Sequence, residues 1–514
     1  MMNQRINKMT QGILLAMAGV AAFSAPLAAS AEPAITQLAG KVLPYQEKPR
    51  VFVLTDIGNE PDDQMSLTRF LLYSNEMNVE GLVATTSTWQ REKVHTDMID
   101  LVVGHYGEVQ PNLLKHAAGF PTVAQLQSVV APGLASYGMA ATGEGKNTAG
   151  SDLLVSAIEK STDAAHPLFI TLWGGANTLA QALQDVSKKH PPEAVQALAR
   201  NLVVYSISDQ DDAGAWVREH YPDITYIVDP SSQNGEDYAR ATWTGISGDR
   251  YYRNAPGADF TTVSQHWLDE NIRNKGPMGK GYLKYLFIME GDTPSFLGLI
   301  RNGLNSERNP GWGGWGGRYI VRQPQHETHP IWSSGGDFYP GNPNAADTVT
   351  GKDGKPYTSN QATVWRWRED FQNDFAARMD WGIKDYKNSN HNPQVVVNGQ
   401  PGQDVVYLQA KSGETLTVDA AGSKDPDGDK LSYRWFLYPE AGSASSTPVA
   451  VNDVQGRRGE DNLTAPAVLT LSENGKPSVK VKAERTGTEH LILAVTDNGK
   501  PALTSYRRII VSVN

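Results

Sequence analysis

The sequence contains no cysteine among its 514 residues. Disulfide bonds, thiolate nucleophiles and cysteine-based zinc or iron–sulfur sites are therefore excluded. A metal ion bound by this chain must be held by oxygen or imidazole ligands. The length predicts about two or three domains, with enough chain to bury a large hydrophobic core.

Basic residues are also in deficit, because 46 Lys and Arg stand against 56 Asp and Glu, for a formal net charge of −10 at pH 7. An acidic surface repels a phosphate backbone, so nucleic acid is not an expected partner. Neutral or cationic ligands, or a metal cation, suit this charge better. The composition leaves the oligomeric state open, a homo-oligomer included.

A long apolar run is missing everywhere except near the N-terminus. There, Arg5 and Lys8 precede an apolar run over residues 12–23, and small residues lead to Ala31. This order is typical of a secretory signal peptide, and the run is too short to span a bilayer comfortably. We predict a signal peptide over residues 1–31 and a periplasmic or extracellular mature protein, with no membrane span. The alternative, an uncleaved anchor, is disfavoured by the A-x-A ending.

Short apolar runs alternate with segments of helical periodicity in the first half of the mature chain. The apolar runs are 51–54, 79–85, 168–172, 202–207 and 224–228, and the helical patterns are 64–73, 94–103, 178–186 and 213–220. Continuous apolar strands, each followed by an amphipathic helix, are typical of a parallel sheet covered on both faces. The predicted fold class is α/β, with a doubly wound, mostly parallel sheet.

The pattern then changes twice along the chain. After the alternation come loops rich in Gly, Pro and Trp, with helix candidates at 294–303 and 364–379, which we expect to wall a site at the carboxyl ends of the strands. This α/β domain is predicted over residues 32–387, followed by a linker at 388–393. Residues 394–514 show short alternating runs between turn residues, which predicts an all-β, immunoglobulin-like sandwich.

Four carboxylates lie close together where the first predicted strand enters the first helix: Asp56, Glu60, Asp62 and Asp63. They repel one another, so burying part of this cluster requires a counter-charge. A calcium ion, which takes about six to eight oxygen ligands, supplies one. The alternative is that these residues only cap the helix and favour its dipole.

Three later segments also follow apolar runs and point to the same edge of the sheet. Trp173 opens a Gly-Gly turn and offers its carbonyl oxygen as a candidate metal ligand, and Asn177 closes that turn. The second segment supplies Asp209, Asp211 and Asp212 after the run 202–207. The third supplies Glu290 and Asp292 after an apolar run over residues 285–289, which we also expect to be a strand. Each segment alone is also explained as a turn or a helix cap. Convergence of acidic loops from distant parts of the chain favours a metal-centred site.

These residues resemble the motifs of nucleoside hydrolase-like proteins, which carry a strand-end aspartate cluster, a G-x-x-x-N turn and a late aspartate. The chain is more closely similar to a bacterial family of cellulose-binding proteins that joins a nucleoside hydrolase-like domain to an immunoglobulin-like C-terminal domain. The motifs that carry this similarity are TDIGNEPDDQMS from Thr55, SISDQDD from Ser206, MEGDTPSFL from Met289 and WGGWGGR from Trp312.

The resemblance implies a bound calcium ion that grips sugar hydroxyls. Its implied ligands are Asp56, Asp63, Asp292 and the carbonyl oxygen of Trp173. Asp56 is also the implied general base, and Asp62 is expected to face a sugar hydroxyl. The sequence departs from the hydrolases in the longer spacing between Asp56 and Asp62, and in the glycine before Asp292, where the hydrolases often have a histidine.

The resulting hypothesis is a calcium-dependent glycosyl hydrolase acting on a sugar or polysaccharide-derived substrate by water attack at the anomeric carbon. Candidates for the leaving-group acid are His326, His329 and Glu290, with a surface or structural role as the alternative for the histidines. The rival hypothesis is a non-catalytic carbohydrate-binding protein that uses the ion as a clamp.

Sugar contacts are expected from a glycine-rich aromatic loop, because flat aromatic faces pack on sugar rings. The candidates in this loop are Trp312, Trp315 and Arg318, with plain packing as the alternative. Further substrate contacts are expected from four residues that follow predicted strands: Asn177, Asp209, Asp211 and Asp212. In the C-terminal domain, residues 425–429 resemble the turn of PKD-type modules. We interpret them as turn chemistry with Trp435 in the core, a second calcium site being the alternative.

Overall fold

The computed structural model describes residues 27–44, 48–230, 245–247, 257–324, 327–334, 345–443 and 467–514. Most of the predicted signal peptide lies outside these ranges. The first described element is helix α1 (Leu27–Gly40), which runs through the predicted cleavage point after Ala31. Within the described ranges, no helix combines the length and the apolar character needed to cross a membrane.

An eight-stranded sheet forms the centre of the α/β domain. Its strands, in spatial order, are β3 (Val130–Pro132), β2 (Asn78–Ala84), β1 (Arg50–Thr55), β4 (Leu168–Leu172), β5 (Leu202–Ser206), β6 (Thr225–Ile227), β8 (Ile331–Ser333) and β7 (Ile320–Arg322). Neighbouring strands run parallel, except that β7 is antiparallel to β8. The predicted mostly parallel sheet is confirmed.

Helices cover both faces of this sheet. Val51 and Val53 of β1 join the hydrophobic cluster of one face, whereas Phe52 and Leu54 join that of the other. Because successive strand side chains point to opposite faces, the sheet is doubly wound, as predicted. The first cluster includes α2 (Pro61–Leu72) and α3 (Thr96–Leu113), beside the short α4 (Val123–Gln127), and the second includes α5 (Ala149–Glu159), α6 (Asn177–Lys189), α7 (Pro192–Ala199) and α8 (Ala213–His220).

The extension after the sheet is built from short elements. They are α9 (Gln265–Leu268), a π-helical turn (Asp269–Arg273), α10 (Gly276–Gly281), α11 (Pro294–Leu297), the hairpin of β9 (Asp347–Thr350) and β10 (Pro356–Ser359), α12 (Ala362–Trp365) and α13 (Arg368–Trp381). The helix predicted at 294–303 is therefore a single turn, and the one predicted at 364–379 is two helices. The apolar run 285–289 contains only an isolated bridge, because Phe287 and Glu290 adopt left-handed φ angles of 64° and 50°.

The C-terminal domain is an all-β sandwich, as predicted. One sheet contains β13 (Val406–Ala410), β19 (Thr504–Val513), β18 (Gly487–Thr496) and β15 (Ser432–Tyr438), and the other contains β14 (Thr415–Asp419), β17 (Ser478–Ala483) and β16 (Leu469–Ser472). A small hairpin of β11 (Val396–Val397) and β12 (Gln400–Pro401) precedes them. Trp435 is fully buried between the sheets, which confirms its predicted place in the core.

The two central strands of the four-stranded sheet, β18 and β19, are buried on both faces. In β18, Leu491 and Leu493 join the core of the sandwich, whereas Ile492 and Ala494 join the hydrophobic core of the α/β domain. Since successive side chains alternate between faces, one face packs on the partner sheet and the other on the α/β domain. The two domains therefore share one continuous packed interior.

A buried arginine, Arg508, also connects the domains. Its Nε donates to the carbonyl oxygen of Leu304 at 2.5 Å, and its Nη2 donates to that of Gly313 at 2.7 Å. Its Nη1 lies 2.7 Å from Nδ1 of His490. Because the guanidinium can only donate, Nδ1 accepts this bond, and the neutral imidazole carries its proton on Nε2.

The segment predicted as a linker, residues 388–393, joins the domains without being a free spacer. The indole of Trp381 donates to the carbonyl oxygen of Asn390 at 2.9 Å. The backbone N–H of His391 donates to the carboxylate of Asp427 at 2.8 Å. Both domains thus hold the segment that connects them.

His490 is expected to make the protein less stable as the pH falls below about 6.5. Burial, and then the charge of Arg508, lower the pKa of His490 well below its usual value. The unfolded chain takes up a proton at the ordinary pKa, whereas the folded chain does not, so acid favours unfolding. Between about pH 6.5 and 5.5, we expect this group to reduce the free energy of unfolding by about 1 kcal/mol.

Urea denaturation at several pH values measures this effect. His490→Gln keeps an oxygen that accepts from Arg508, and it should lose this part of the pH dependence. The control is His220→Gln, at the exposed end of α8, which should keep it. Identical pH slopes in the His490→Gln variant and the unchanged protein would contradict the assignment.

Candidate metal centre

The predicted site lies where the strand order of the sheet reverses. The chain moves outward from β1 to β2 in one direction and from β4 to β5 in the other, and β1 and β4 are neighbours. Open α/β sheets bind ligands at such a switch point, outside the carboxyl ends of the strands. Asp56 directly follows β1 and Trp173 directly follows β4, so both stand at this edge.

Three buried carboxylates meet here: Asp62 and Asp63 in the first turn of α2, and Asp292 just before α11. We call these residues the aspartate triad. One oxygen from each lies within 4.8 Å of those of the others. Two ligands of one calcium ion, each at about 2.3–2.6 Å, are at most about 5 Å apart, so this spacing fits a shared ion.

The triad also leaves buried oxygens without partners. The hydroxyl of Thr55 donates to Asp63. In contrast, Oδ1 of Asp62 and both carboxylate oxygens of Asp292 have no hydrogen-bond partner among the described residues. An unpaired buried carboxylate is costly unless a counter-ion or a proton neutralises it. The donor set, entirely carboxylate oxygen, suits a hard divalent cation such as calcium.

Burial, reinforced by mutual repulsion, raises the pKa values in the triad. Burial, followed by the charges of Glu60 and Asp56, raises the pKa of Asp62 to about 8. Burial and the charge of Asp292 raise the pKa of Asp63 well above its usual range, and burial and the charge of Asp62 do the same for Asp292. A bound cation would oppose these shifts, because its positive charge favours the ionised carboxylates.

Asp56 lies beside the triad and is not part of the group that shares the 4.8 Å spacing. Burial raises its pKa to about 6, a hydrogen bond from Ser87 opposes the rise, and the charge of Asp56 in turn raises the pKa values of the triad. The resemblance assigns Asp56 to the ion and Asp62 to the substrate. The structure instead groups Asp62 with Asp63 and Asp292.

Two glycines lie close against Asp62 and Asp56. A Cβ at Gly291 would lie 2.7 Å from Oδ2 of Asp62, so the absent side chain makes room for that carboxylate against the loop of Asp292. A Cβ at Gly174 would lie 2.9 Å from Cβ of Asp56. The histidine that the hydrolases often have before the late aspartate would therefore collide with Asp62 in this chain.

Trp173 ties β4 to the loop that carries Asp292. Its indole donates to the hydroxyl of Ser295 at 2.9 Å, and that hydroxyl donates to the carbonyl oxygen of Asp292 at 2.6 Å. The carbonyl oxygen of Trp173 accepts from the side-chain amide of Gln210 at 2.5 Å. Its role as a metal ligand stays a prediction.

The four strand-end residues predicted to contact substrate are all engaged in holding loops together. Asp209 accepts two hydrogen bonds of 2.8 Å from Arg218. Asp211 accepts from the first backbone N–H groups of α6 and α8 at 3.1 and 3.0 Å, and burial raises its pKa to about 6. Asp212 accepts from a backbone N–H at 2.8 Å, and the amide of Asn177 donates to a backbone carbonyl at 2.7 Å. The role of these four residues in binding substrate stays a prediction.

None of the three candidates for the leaving-group acid is seen at the triad in the described part of the chain. Both oxygens of Glu290 accept from the buried guanidinium of Arg69, at 2.7 and 2.9 Å, and the hydroxyls of Tyr282 and Thr293 also donate to them. Both oxygens of this carboxylate are therefore engaged by buried side chains of the fold. His329 precedes β8, which runs parallel to β6, so it lies at the amino edge of the sheet, opposite the triad. His326 lies outside the described residues.

The aromatic loop predicted to bind sugar is buried between the domains. The ring of Trp312 contacts that of His490 with centroids 5.6 Å apart. Trp315 is 1% exposed and packs against Tyr506. Arg318 pairs with Asp347 at 2.7 Å. The prediction of a sugar platform is therefore wrong, and the packing alternative holds, because the C-terminal domain covers this loop.

Trp315→Ala is accordingly expected to destabilise the protein by about 3–5 kcal/mol, as for other buried aromatic truncations. Calcium affinity of the folded variant should be unchanged, because the residue does not touch the triad. Denaturant unfolding measures the cost, with Trp89→Ala, 46% exposed, as the control expected to lose less than about 1 kcal/mol. Unchanged stability with lost polysaccharide binding would restore the sugar role.

One exposed aromatic residue at this edge of the sheet is not among the predicted site residues. Trp89 lies on the loop after β2, and the neighbouring Gln90 donates from its side chain to the carbonyl oxygen of Asp56 at 3.1 Å. The loop of Trp89 therefore contacts the residue that follows β1. The position of Trp89 after a predicted strand is the signal that could have identified it.

Two family models match the chain. The one described as "Cellulose-binding Sde182, nucleoside hydrolase-like domain" matches residues 50–319. The chain belongs to the Sde182 family. The model described as "Cellulose-binding protein Sde0182, C-terminal domain" matches residues 415–513, so the Sde182 assignment extends to both domains and confirms the resemblance seen in the sequence motifs.

Solved structures agree with this assignment. A nucleoside hydrolase-related protein from Saccharophagus degradans, described as associated with carbohydrate metabolism, is 32% identical over 91% of this chain and 100% of that one, with a TM-score of 0.72. It confirms the nucleoside hydrolase-like fold. The PKD domain of human KIAA0319 is 10% identical over 26% of this chain and 88% of that one, with a TM-score of 0.16, and nothing follows from it. Among curated proteins, no match was found.

Proposed function

We propose that this Sde182-family protein is a calcium-dependent glycosyl hydrolase that acts on a sugar or polysaccharide-derived substrate outside the cytoplasm. The observation that carries the proposal is the aspartate triad, whose buried oxygens lack partners within the described ranges. Such oxygens are costly to bury unless a cation completes the site. The switch point of the sheet is also where folds of this kind bind ligands.

Asp62, Asp63 and Asp292 would hold the ion. When bound, calcium supplies positive charge that polarises sugar hydroxyls and water. Asp56, fixed beside the triad by Gln90, accepts the proton of the attacking water. As water attacks the anomeric carbon, the bond to the leaving sugar oxygen breaks, and that oxygen takes a proton from solvent. One such displacement predicts inversion of configuration.

The proposed substrate is a neutral glucan. The family name refers to cellulose, and the acidic surface of the chain suits a neutral polymer better than a charged one. Trp89, which is 46% exposed on the loop that contacts Asp56 through Gln90, is a residue of the kind that packs on sugar rings. The N-terminal segment, with its pattern of a signal peptide, supports a location where such polymers are found.

A second candidate is a non-catalytic carbohydrate-binding protein with the ion as a clamp. The observation that favours it is that neither of the two described candidates for the leaving-group acid is placed to act at the triad. Glu290 is locked in its ion pair, and His329 lies at the opposite edge of the sheet. Without an acid, departure of a sugar alcohol is slow, although binding of the polymer needs no proton transfer.

Release of reducing sugar from cellulose, other polysaccharides and nucleosides, with calcium and with chelator, separates the two candidates. The hydrolase predicts calcium-dependent release that Asp56→Asn lowers by about 100-fold or more while calcium binding persists. Polymer retention that requires calcium, without turnover on any substrate, would select the clamp. Retention and turnover that are both indifferent to calcium would contradict both candidates.

A further inference from the structure

A second group of buried, unpartnered oxygens lies where the linking segment meets the β-sandwich. Oδ1 of Asn390, Oδ2 of Asp425 and Oδ2 of Asp497 are buried and have no hydrogen-bond partner among the described residues. Asn390 and Asp497 are 6% and 5% exposed. A buried oxygen that accepts nothing is destabilising unless another group completes its surroundings.

The orientation of the Asn390 amide is fixed by its neighbours. Its Nδ2 donates to Oδ1 of Asp497 at 2.9 Å and to the carbonyl oxygen of Pro501 at 2.7 Å. Both partners are acceptors, so a flipped amide would place oxygen against oxygen. Oδ1 is therefore the free atom. The loop after β18 encloses it closely, since a Cβ at Gly499 would lie 2.5 Å from this oxygen.

The turn of residues 425–429 is held against the same place. The backbone N–H of His391 donates to Asp427 at 2.8 Å, and the backbone N–H of Lys430 donates to the side chain of Asn498 at 2.7 Å. The turn thus contacts the residue after Asn390, and the residue that follows the turn contacts the residue after Asp497. Asp425 is close enough to Asp497 for the two carboxylates to repel each other.

Turn chemistry explains only half of Asp425. Its Oδ1 accepts from the backbone N–H groups of Asp427 and Asp429, both at 2.9 Å, as an aspartate at the start of a tight turn commonly does. Its Oδ2 takes no part in the turn and is nevertheless buried. The sequence-based interpretation of this segment as a turn alone is therefore incomplete.

We infer that Asn390, Asp425 and Asp497 are ligands of a calcium ion that fastens the β-sandwich to the α/β domain. Two carboxylates and an amide oxygen are the hard donors that calcium prefers, and backbone carbonyls or water complete its shell. The nearby imidazole of His391 is not available as a ligand, because Nδ1 contacts Asp427 and Nε2 contacts His116, each at 3.0 Å. This site is separate from the aspartate triad and does not rest on the proposed function.

The ion would act as a cross-link between three segments. Asn390 belongs to the connection that leaves the α/β domain, Asp425 precedes β15, and Asp497 follows β18. Without the ion, the two carboxylates repel each other at the junction, so the connection should loosen. Because the ion binds only the folded junction, the free energy of unfolding should increase with the calcium concentration.

Calorimetric titration of the full-length protein with calcium tests the site, in a background of Asp292→Asn that disables the triad. This background should still bind one calcium per chain. Adding Asp497→Asn, or separately Asp425→Asn, should weaken that binding by about 100-fold or more. Both substitutions preserve an oxygen at Oδ1, so the hydrogen bonds to backbone N–H groups persist. The control is Asp419→Asn, in β14, which should change nothing.

Thermal unfolding with and without calcium gives the second readout. Calcium should raise the unfolding temperature of the Asp292→Asn protein, and each junction substitution should abolish that increase. If both junction variants fold and still bind one calcium with unchanged affinity, or if the background binds none, the inference is overturned. Failure of the triad to bind calcium in the otherwise unchanged protein would contradict the proposed function and leave this result intact.

Discussion

Asp292→Asn is expected to weaken calcium binding at the aspartate triad by about 100-fold or more. Both carboxylate oxygens of Asp292 are buried without a partner in the described part of the chain. The substitution removes a charged ligand and turns an amide N–H group toward the ion. Calorimetric titration of the metal-free protein measures the loss.

The matched control is Asp212→Asn, because Asp212 is exposed at the same edge of the sheet and serves only a backbone N–H there. Its calcium affinity should equal that of the unchanged protein. If the Asp292→Asn protein binds calcium with the same affinities as the unchanged protein, at both the aspartate triad and the junction site, the metal centre is refuted.

The same substitution is expected to stabilise the protein when calcium is absent. Burial, and then the charges of Asp62 and Asp56, raise the pKa of Asp292 well above its usual range. Removing one repelling charge should therefore gain about 1 kcal/mol or more at neutral pH. Calcium should reverse the order, because the unchanged protein binds it more tightly. Thermal unfolding in calcium and in chelator compares the stability of the variant with that of the unchanged protein under each condition. A variant that is less stable under both conditions would contradict the repulsion assigned to Asp292.

Arg69→Met is expected to cost about 3–5 kcal/mol, the usual penalty for leaving a buried charge unpaired. Arg69 and Glu290 are both fully buried, and the guanidinium packs 3.9 Å from the ring centre of Phe375. Loss of the arginine strands the Glu290 carboxylate in the interior. Because Asp292 lies two residues further on, the metal-binding loop should loosen as well.

The double variant Arg69→Met/Glu290→Gln separates lost charge pairing from lost packing. It removes both charges, so it should recover about 2 kcal/mol or more of the single variant's loss. Arg200→Met is the surface control, since its pair with Asp223 is half exposed and should be worth less than about 1 kcal/mol. Denaturant unfolding measures all three variants. A cost for Arg69→Met as small as that of the control would contradict the role given to the ion pair.

The sheet could be predicted from the sequence because its information is local. Strand β4 and helix α8 begin and end at the predicted residues. Burial on both faces forces an unbroken apolar run in each strand, and burial on one face forces the helical period. These signals need no knowledge of distant contacts.

The failures depend on contacts that the sequence does not state. Trp312 and Trp315 have the composition of a sugar platform, and only the position of the second domain shows that they are covered. The run 285–289 has the composition of a strand, but left-handed Phe287 and Glu290 bend it around the ion pair with Arg69. In each case a partner distant in sequence decides the outcome.

In the candidate site, too, the local pattern could be predicted from the sequence, whereas the contacts between distant residues could not. Strand-end aspartates in several segments indicated a metal-centred edge, and the structure brings three of them together. The close approach of Asp62 to Gly291 depends on side-chain volume, which the motif does not state, and the role of Asp56 as a metal ligand stays a prediction.

A crystal grown with calcium, examined for anomalous scattering at the carboxyl edge of the sheet, shows whether the aspartate triad shares one calcium ion. We expect an anomalous peak about 2.3–2.6 Å from oxygens of Asp62, Asp63 and Asp292 together. A map without such a peak at saturating calcium, with the three carboxylates bound to one another or to water alone, would contradict the shared site.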